Sequence, residues 1–531
     1  VKVLLLSIQG KGNEIIEEPG LGSLAASVGA EGHEVKVKRF AYELDYEQYL
    51  KEFNPDIIGI TTYDRYFHHQ VEYAKKLKQI LPSVVISMGG YTATYHYMDI
   101  MKEYEFVDYI IIGEGEISFT QLIKSIENKS STKDIKGLCY RYHSEIIVNE
   151  GCSVVDNLDE LPFTNRDMLL EQKNNLVNIT TTRGCSSTCT FCCSNNFWRN
   201  GERRRFFRKM SATRVVDEIE YLKDKYNKNR FVFNDNSYED SGMNRQIEVA
   251  NELMKRNIKI GYNVNYRVNF YKKASEEFMS LLISSGLCSV FLGVESGNDK
   301  DLILYNKRTT TDDCFNAVRF FSQFEDLALM IGFINFSPYS SVETLQENVI
   351  FLREIGYACD LSNFSSCLIP FKGTSLYEKI ESDGLLIKGP HIGMNSFKFE
   401  NDQVESVYKY LDHVVKTNKI LKQSSYLCGV FPTILVFLMR DAKNNNDTTA
   451  MEIISNANVE MEKLKSELNL KISEWMLELL ETDKLDTKAD AITEKYLIHQ
   501  NISSIYSDLM AARNNLYKNL CRHDPYYLSR F

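Results

Sequence analysis

Three thiols stand close together in this chain. In the segment Thr182-Arg183-Gly184-Cys185-Ser186-Ser187-Thr188-Cys189-Thr190-Phe191-Cys192, the cysteines Cys185, Cys189 and Cys192 have a three-then-two spacing. Thiolates are soft donors that suit iron–sulfur clusters or zinc. A structural zinc ion wants four ligands, usually from two Cys-x-x-Cys knuckles. Three thiolates instead fill three corners of a 4Fe–4S cube and leave one iron open to a substrate. Buried thiols or a zinc site are the plainer alternatives. Cys193 follows the third ligand directly, so its side chain is expected to point elsewhere and pack. The triplet comes just after an apolar run, 177–181, that reads as a strand.

The Cys-x3-Cys-x2-Cys motif, with the aromatic Phe191 before its third cysteine, resembles that of the radical S-adenosylmethionine (SAM) superfamily. The resemblance implies that the open iron chelates the amino and carboxylate groups of SAM. One electron, from a donor such as flavodoxin or ferredoxin, would then cleave the sulfonium to methionine and a 5′-deoxyadenosyl radical. A barrel would hold that radical against one C–H bond, away from water. Other segments fit in order. Phe233-Asn234-Asp235-Asn236 resembles the segment that binds the SAM amine, with Asp235 or Asn234 as acceptor. Arg267 would pair with the SAM carboxylate. Gly293-Val294-Glu295-Ser296-Gly297 resembles the ribose motif, with Glu295 accepting from the hydroxyls and Ser296 beside it. Lys307 stands where relatives carry a lysine. Each alone reads as well as a solvated loop charge; their order and spacing carry the set. One departure stands out. Relatives often have a Gly-x-Pro-Gly-Glu-Thr turn after the fifth strand, where this chain reads Asn335-Phe336-Ser337-Pro338-Tyr339-Ser340-Ser341-Val342-Glu343-Thr344. That wall is expected to meet substrate differently. Pro370-Phe371-Lys372-Gly373-Thr374 fits the family again.

Nearer the N-terminus, three strand ends are rich in glycine: Gly59-Ile60-Thr61-Thr62, Ser87-Met88-Gly89-Gly90-Tyr91 and Gly113-Glu114-Gly115-Glu116. Glycines let a backbone approach a large ligand closely, and a doubly wound sheet binds at the carboxyl ends of its strands. The pattern resembles the cobalamin-binding domain that precedes many radical SAM barrels. By that resemblance Gly89, Gly90, Gly113, Glu114, Gly115 and Glu116 flank the nucleotide tail, with Gly59, Thr61, Thr62, Tyr63 and Tyr91 completing the site. Many cobalamin domains present a histidine to cobalt from an Asp-x-His-x-x-Gly loop. Here the first loop reads Ser7-Ile8-Gln9-Gly10-Lys11-Gly12-Asn13, without histidine, so cobalamin is expected base-off. The loop 63–67 would cover its lower face. His68 and His69 open an expected helix and read as packing or surface residues rather than ligands. The alternative is a relic fold that only docks on the barrel.

These residues need elements to position them. Apolar runs at 3–7, 35–40, 56–61, 84–88 and 109–113 lack polar alternation, as parallel strands covered on both faces do. With helices between them, such as 69–81, they predict a doubly wound, Rossmann-like domain over 1–150, ending in a hairpin at 137–149. Residues 151–175 read as a linker. Strands at 177–181, 230–234, 261–266, 289–294, 327–336 and 362–368 predict a partial six-unit TIM-type barrel over 176–375. From 376 to 531 the pattern is mainly helical. It includes a stripe of Val404, Val407, Tyr408, Leu411, Val414, Val415 and Leu421 and a long helix over 451–480. This domain would cap the barrel mouth, or its aromatic residues would only be core. The longest apolar run, 427–439, contains Pro432 and falls short of the roughly 18 residues of a membrane span, so it reads as a buried helix.

Composition narrows the function. The 531 residues carry 62 Lys and Arg against 72 Asp and Glu, a net charge of −10, which disfavours nucleic acid as a partner. The first residues read as a strand rather than a signal peptide. A cytoplasmic location is expected, where twelve cysteines argue against a disulfide framework. The segment 198–209 carries Arg199, Arg203, Arg204, Arg205 and Arg208, read as a solvated loop or as a seat for an anionic group. Taken together, the resemblance implies a cobalamin-dependent radical SAM methyltransferase acting on an unactivated carbon of a small molecule or peptide. One SAM would methylate cob(I)alamin; a second would give the radical that removes the substrate hydrogen. The rivals are a radical cyclisation, ring contraction or oxidation on the same scaffold, and a cobalamin-binding sensor with a structural cluster.

Overall fold

Six consecutive residues, Val3 to Ile8, are buried in β1 (Lys2–Gln9). A strand can bury every residue only when both sheet faces are covered. Here Val3 and Leu5 enter the core on one face, with Leu21, Ala25 and Phe119. Leu4, Leu6 and Ile8 enter the core on the other, with Val71, Ala74 and Ile100. The computed structural model describes residues 1–531 except 11–17, 173–174, 200–206, 241, 483–484, 525–526 and 528–531. The first sheet also contains β2 (Glu34–Ala41), β3 (Ile57–Thr61), β4 (Val85–Gly89), β5 (Tyr109–Ile111), β6 (Leu138–Tyr142) and β7 (Glu145–Val148), in the order β2-β1-β3-β4-β5-β6-β7. The first five are parallel, and β6 and β7 add an antiparallel edge. The order reverses between β1 and β3, which opens a crevice at the carboxyl ends beside β3.

Residues 151–175, expected as a linker, are packed. Met168 joins the first domain's core, while Val155, Leu158 and Leu169 join the barrel's. Arg166 is buried and donates to Glu218 at 2.6 Å. The barrel's hydrogen-bonded sheet is five parallel strands, β8 (Leu176–Ile179), β11 (Arg230–Phe233), β12 (Gly261–Arg267), β13 (Leu287–Glu295) and β14 (Ala328–Phe333), ordered β14-β13-β12-β11-β8. Between the first two in sequence runs a short antiparallel ribbon of β9 (Thr182–Arg183) and β10 (Arg208–Lys209). The strand expected at 362–368 is present only as a parallel bridge from Phe336 to Cys367. Leu361–Ser365 is helical instead, because Asp360 caps it by accepting from the Ser362 amide.

The C-terminal region reaches both ends of the barrel: its first residues stay at the cysteine end, where the Leu376 amide donates to the Thr190 carbonyl and Phe399 and Tyr408 pack on Phe336, while a later helix plugs the opposite end. Helix Phe431–Asn444 closes the amino ends of the strands. There Asp441 pairs with Arg230 at 2.9 Å, Thr433 bonds Ser289 at 3.1 Å, and Lys443 pairs with Asp326 at 2.6 Å. A Cβ on Gly261 would stand 2.5 Å from the Phe437 ring, so only glycine admits that ring under the sheet. The stretch Leu421–Asn444 is long and apolar enough by composition to cross a membrane, yet 53% of that window is buried inside the fold. Helix Thr448–Leu480 and helix Ile502–His523 complete the domain around the buried Trp475.

Candidate functional site

The cysteine loop leaves β9 through Gly184, whose φ of +90° is one that glycine adopts without strain. The loop is pinned from outside. Thr190 receives a bond from Leu376 and donates to Leu304 (2.7 Å) and Tyr305, while Asn306 donates to Thr188 at 2.9 Å. Phe191 meets Tyr305 edge-on at 5.5 Å, so it anchors the loop. The Cys185 thiol accepts from the Ser187 amide at 3.4 Å, and the Ser187 hydroxyl lies 3.2 Å from the Cys189 sulfur. All three thiols are half-buried. Among the described residues, no three His, Cys, Asp or Glu side chains converge as ligands of a single ion would.

Two cations face these thiols. Arg267, at the end of β12, is ion-paired with Glu239. Burial works against its charge, but Glu239 and the nearby thiols of Cys185 and Cys189 raise its pKa. Glu239 was missed in the sequence; it lies four residues beyond Asp235, and nothing in its spacing marks it. The buried Lys307 donates to Glu295 at 3.1 Å. Glu295 ends β13 with φ +73°, a strained conformation for a residue with a Cβ. Gly293 and Gly332 make room for its carboxylate, since a Cβ on either would come within 2.8 and 3.4 Å of its oxygens. Asn234 is exposed at the end of β11.

Two residues expected at this pocket are turned inward. Asp235 is 1% exposed, and its carboxylate accepts from the Thr181 and Thr182 amides, both at 2.7 Å, and from the Thr181 hydroxyl. It clamps the start of the cysteine segment, while the neighbouring Asn234 stays exposed. Ser296 is fully buried and bonds Asp301 and Asn348, each at 3.0 Å. It holds the turn after β13 rather than facing the pocket.

The glycine-rich strand ends surround an open pocket. Gly59, Thr61, Gly89, Gly90, Gly113, Glu114, Gly115 and Glu116 line it, as does Leu24. The cradle depends on missing side chains. A Cβ on Gly59 would lie 2.7 Å from Leu5, and one on Gly115 would lie 2.9 Å from Leu24. Gly90 (φ +93°) starts helix Tyr91–Glu103. Thr62 is not on the wall: it is buried, donates to the Gly89 carbonyl at 2.8 Å and accepts from Ala93. Tyr63 donates to Glu18, a carboxylate that also accepts from Ser7 and Gln9 at 3.0 Å. Of the first loop, Lys11, Gly12 and Asn13 lie outside the described residues. His68 and His69 pack, His69 stacking on Tyr42 at 3.8 Å and His68 on His391 at 5.2 Å. The glycine cradle suits the close approach of a cofactor's extended tail.

Part of the pocket's wall comes from the cysteine segment itself: Arg183, Phe197 and Trp198. Glu114 and Glu116 face them as ion-pair partners. Arg183 bonds Glu114 at 2.8 Å and also Glu116; Arg208 bonds Glu114 at 3.0 Å. Arg208 is therefore neither a solvated charge nor a free anion seat, while Arg203, Arg204 and Arg205 and the side chain of Arg199 lie outside the described residues. Tyr91 packs against Phe197 with its ring tilted, centroids 4.4 Å apart, and donates to Ser194 at 3.3 Å. Burial pushes the Tyr91 pKa up to about 12 and that of Cys193 also up to about 12. Cys193 lies on the first domain's side of the loop, where its carbonyl accepts from Tyr95.

The B12 binding domain family matches residues 7–123, and the Radical SAM superfamily matches residues 179–334. The chain is similar to an uncharacterized methyltransferase of Pyrococcus horikoshii, 27% identical over 377 residues, which are 69% of this chain and 79% of that protein. It is also similar to the anaerobic magnesium-protoporphyrin IX monomethyl ester cyclase of Cereibacter sphaeroides, 26% identical over 413 residues, which are 74% of this chain and 61% of the cyclase. In three dimensions it resembles the cobalamin-dependent S-adenosylmethionine radical enzyme OxsB with aqua-cobalamin and S-adenosylmethionine bound. That match has a TM-score of 0.66 at 19% identity, over 96% of this chain and 84% of that one, and shows a shared fold.

Proposed function

From a chain that belongs to the radical SAM superfamily and carries its B12-binding domain, we propose a methyltransferase that moves a methyl group onto an unactivated carbon of a small molecule or peptide. One observation supports the reading: the segment that carries the three cysteines also supplies Arg183, Phe197 and Trp198 to the wall of the glycine-lined pocket, so a cluster and a cofactor tail held there would adjoin. When bound, the cluster supplies an electron to the SAM sulfonium and cobalamin supplies a transferable methyl group. The protein's own groups bind and orient. Arg267, held by Glu239, takes the SAM carboxylate, and Asn234 accepts from its ammonium. Glu295, held by Lys307, accepts from the ribose hydroxyls. Adjoining sites keep methyl donor and substrate radical within reach of each other, which is what fast transfer requires.

Each turnover converts substrate, two SAM and two electrons from an external low-potential donor to methylated product, S-adenosylhomocysteine, methionine and 5′-deoxyadenosine. Anaerobic assays that quantify both nucleosides test this. Methyl transfer gives them in equal amounts, whereas 5′-deoxyadenosine alone would leave the cyclase-type reaction. The variants Cys185→Ala, Cys189→Ala and Cys192→Ala are each expected to abolish SAM cleavage, and Cys193→Ala to retain it. A 4Fe–4S electron paramagnetic resonance signal in the triple variant would overturn the ligand assignment. The first loop has no histidine among Ser7, Ile8, Gln9, Gly10, Lys11, Gly12 and Asn13. Bound cob(II)alamin is therefore expected base-off, with no nitrogen splitting in its spectrum.

A further inference from the structure

A buried charge network joins the first domain to the cysteine loop. Arg183 stands two residues before Cys185. It donates to Glu114 at 2.8 Å and, from its other terminal nitrogen, to Glu116. Arg208, its neighbour across the β9–β10 ribbon, donates to both oxygens of Glu114 and to the Val155 carbonyl. The four side chains are 6–7% exposed. Two carboxylates and two guanidiniums sum to zero charge, and an unpaired charge there would be strongly destabilising. The Trp198 ring lies beside both guanidiniums, 5.5 Å from Arg183 and 5.9 Å from Arg208. Glu114, Glu116, Arg183 and Trp198 all line the tail pocket. One side chain is thus both a wall of that pocket and the root of the cysteine loop, with only Gly184 between it and Cys185.

Resting on the cobalamin reading above, we propose that Arg183 is a positioning residue that couples the tail pocket to the cluster loop. A loaded cluster fixes the loop, and Arg183 passes that order to the pocket wall. The tail then meets a preformed site and loses less conformational freedom on binding. Cobalamin therefore binds more tightly to cluster-loaded protein, and by linkage the cluster is held more tightly when cobalamin is present. Lysine cannot replace this arginine, because a single ammonium does not reach two separate carboxylates with a fixed fork.

The test is a spectral titration of hydroxocobalamin under anaerobic conditions, with cluster-loaded protein and with the cluster-free triple cysteine variant. The loaded protein is expected to bind at least about fivefold tighter. In Arg183→Lys with full iron content, that ratio falls toward one. Glu116→Gln gives the same fall and serves if Arg183→Lys does not assemble its cluster. Arg166→Lys alters another buried ion pair, with Glu218 inside the barrel, and keeps the ratio. Equal affinity with and without cluster in the unaltered protein, or a full ratio in both Arg183→Lys and Glu116→Gln, overturns the proposal. Tight binding with no coupling would overturn it alone, whereas no cobalamin binding by any form would overturn the reading on which it rests.

Discussion

Glu295 carries the plainest local tension in the barrel. Its φ of +73° is unfavourable for a residue with a Cβ, and it persists because the buried Lys307 and the space left by Gly293 and Gly332 fix the carboxylate. Such a held acceptor suits the SAM ribose. Glu295→Gln weakens a charge-assisted bond of about 1.5–3 kcal/mol, so the KM for SAM should rise by roughly 10- to 100-fold at unchanged iron content. A KM equal to that of the unaltered protein would remove Glu295 from the pocket. The type and order of these residues were legible in the sequence; which way each one faces was not. Asp235 and Ser296 sit in the right motifs but turn into the fold, because buried amides and hydroxyls claim them. Glu114 and Glu116 read as ligand contacts, yet their ionic partner Arg183 lies 69 and 67 residues away, a separation no local spacing reveals.

At the scale of elements, helix Tyr91–Glu103 helps to join the two domains. It starts at the glycine cradle, and its Tyr95 reaches the cysteine segment at Cys193. Tyr95 also packs over Gly373, where an added Cβ would come within 2.4 Å of the ring, and Asp99 pairs with Lys372 at 2.6 Å. The Pro370-to-Thr374 turn, which the sequence assigns only to the barrel's end, is thus part of the domain contact. His96 breaks the helical geometry of this element (φ −119°, ψ 17°) and is 6% exposed. Burial first, then Lys372, pushes its pKa down to about 4, against the opposing pull of Asp99. The unfolded chain therefore binds more protons between that value and the ordinary histidine range near 6.5. Stability is full above that range and falls as the pH drops through the window. The loss at pH 5 is on the order of 2 kcal/mol, measurable as a fall in urea midpoint between pH 7 and pH 5 that His96→Gln reduces. A pH dependence identical in the variant would rule His96 out as its source. Among strands, β1, β3, β4 and β5 were legible because apolar runs need two covered faces; the edge strand β2 instead alternates valine and lysine and buries only Val37 and Phe40. The sixth barrel strand was not, because an Asp360 cap turns its first half into helix.

For the whole molecule, the decisive feature is which end of the barrel the first domain and helix Phe431–Asn444 each occupy. The first domain meets the carboxyl ends of the strands, where Cys185, Arg267 and Glu295 stand. Helix Phe431–Asn444 meets the amino ends, where Arg230, Gly261 and Ser289 begin or lie near the start of their strands. The apolar run 427–439, too short for a membrane span and broken by Pro432, is the buried helix expected of it and plugs the barrel. The plug is a stability element separate from the chemistry. Phe437 is its centre: 4% exposed, seated against Gly261 and 5.4 Å from the Arg230 guanidinium. Phe437→Ala removes a buried ring and leaves a cavity, a change that costs about 3–5 kcal/mol. Because the reacting groups lie at the other end, the KM for SAM and the cluster spectrum should stay as in the unaltered protein at temperatures where both are folded. The denaturation midpoint should drop clearly. A shifted KM or altered cluster spectrum in folded Phe437→Ala would show that the helical domain reaches the reaction through the barrel's core, and that stability and chemistry are not separated along the barrel axis.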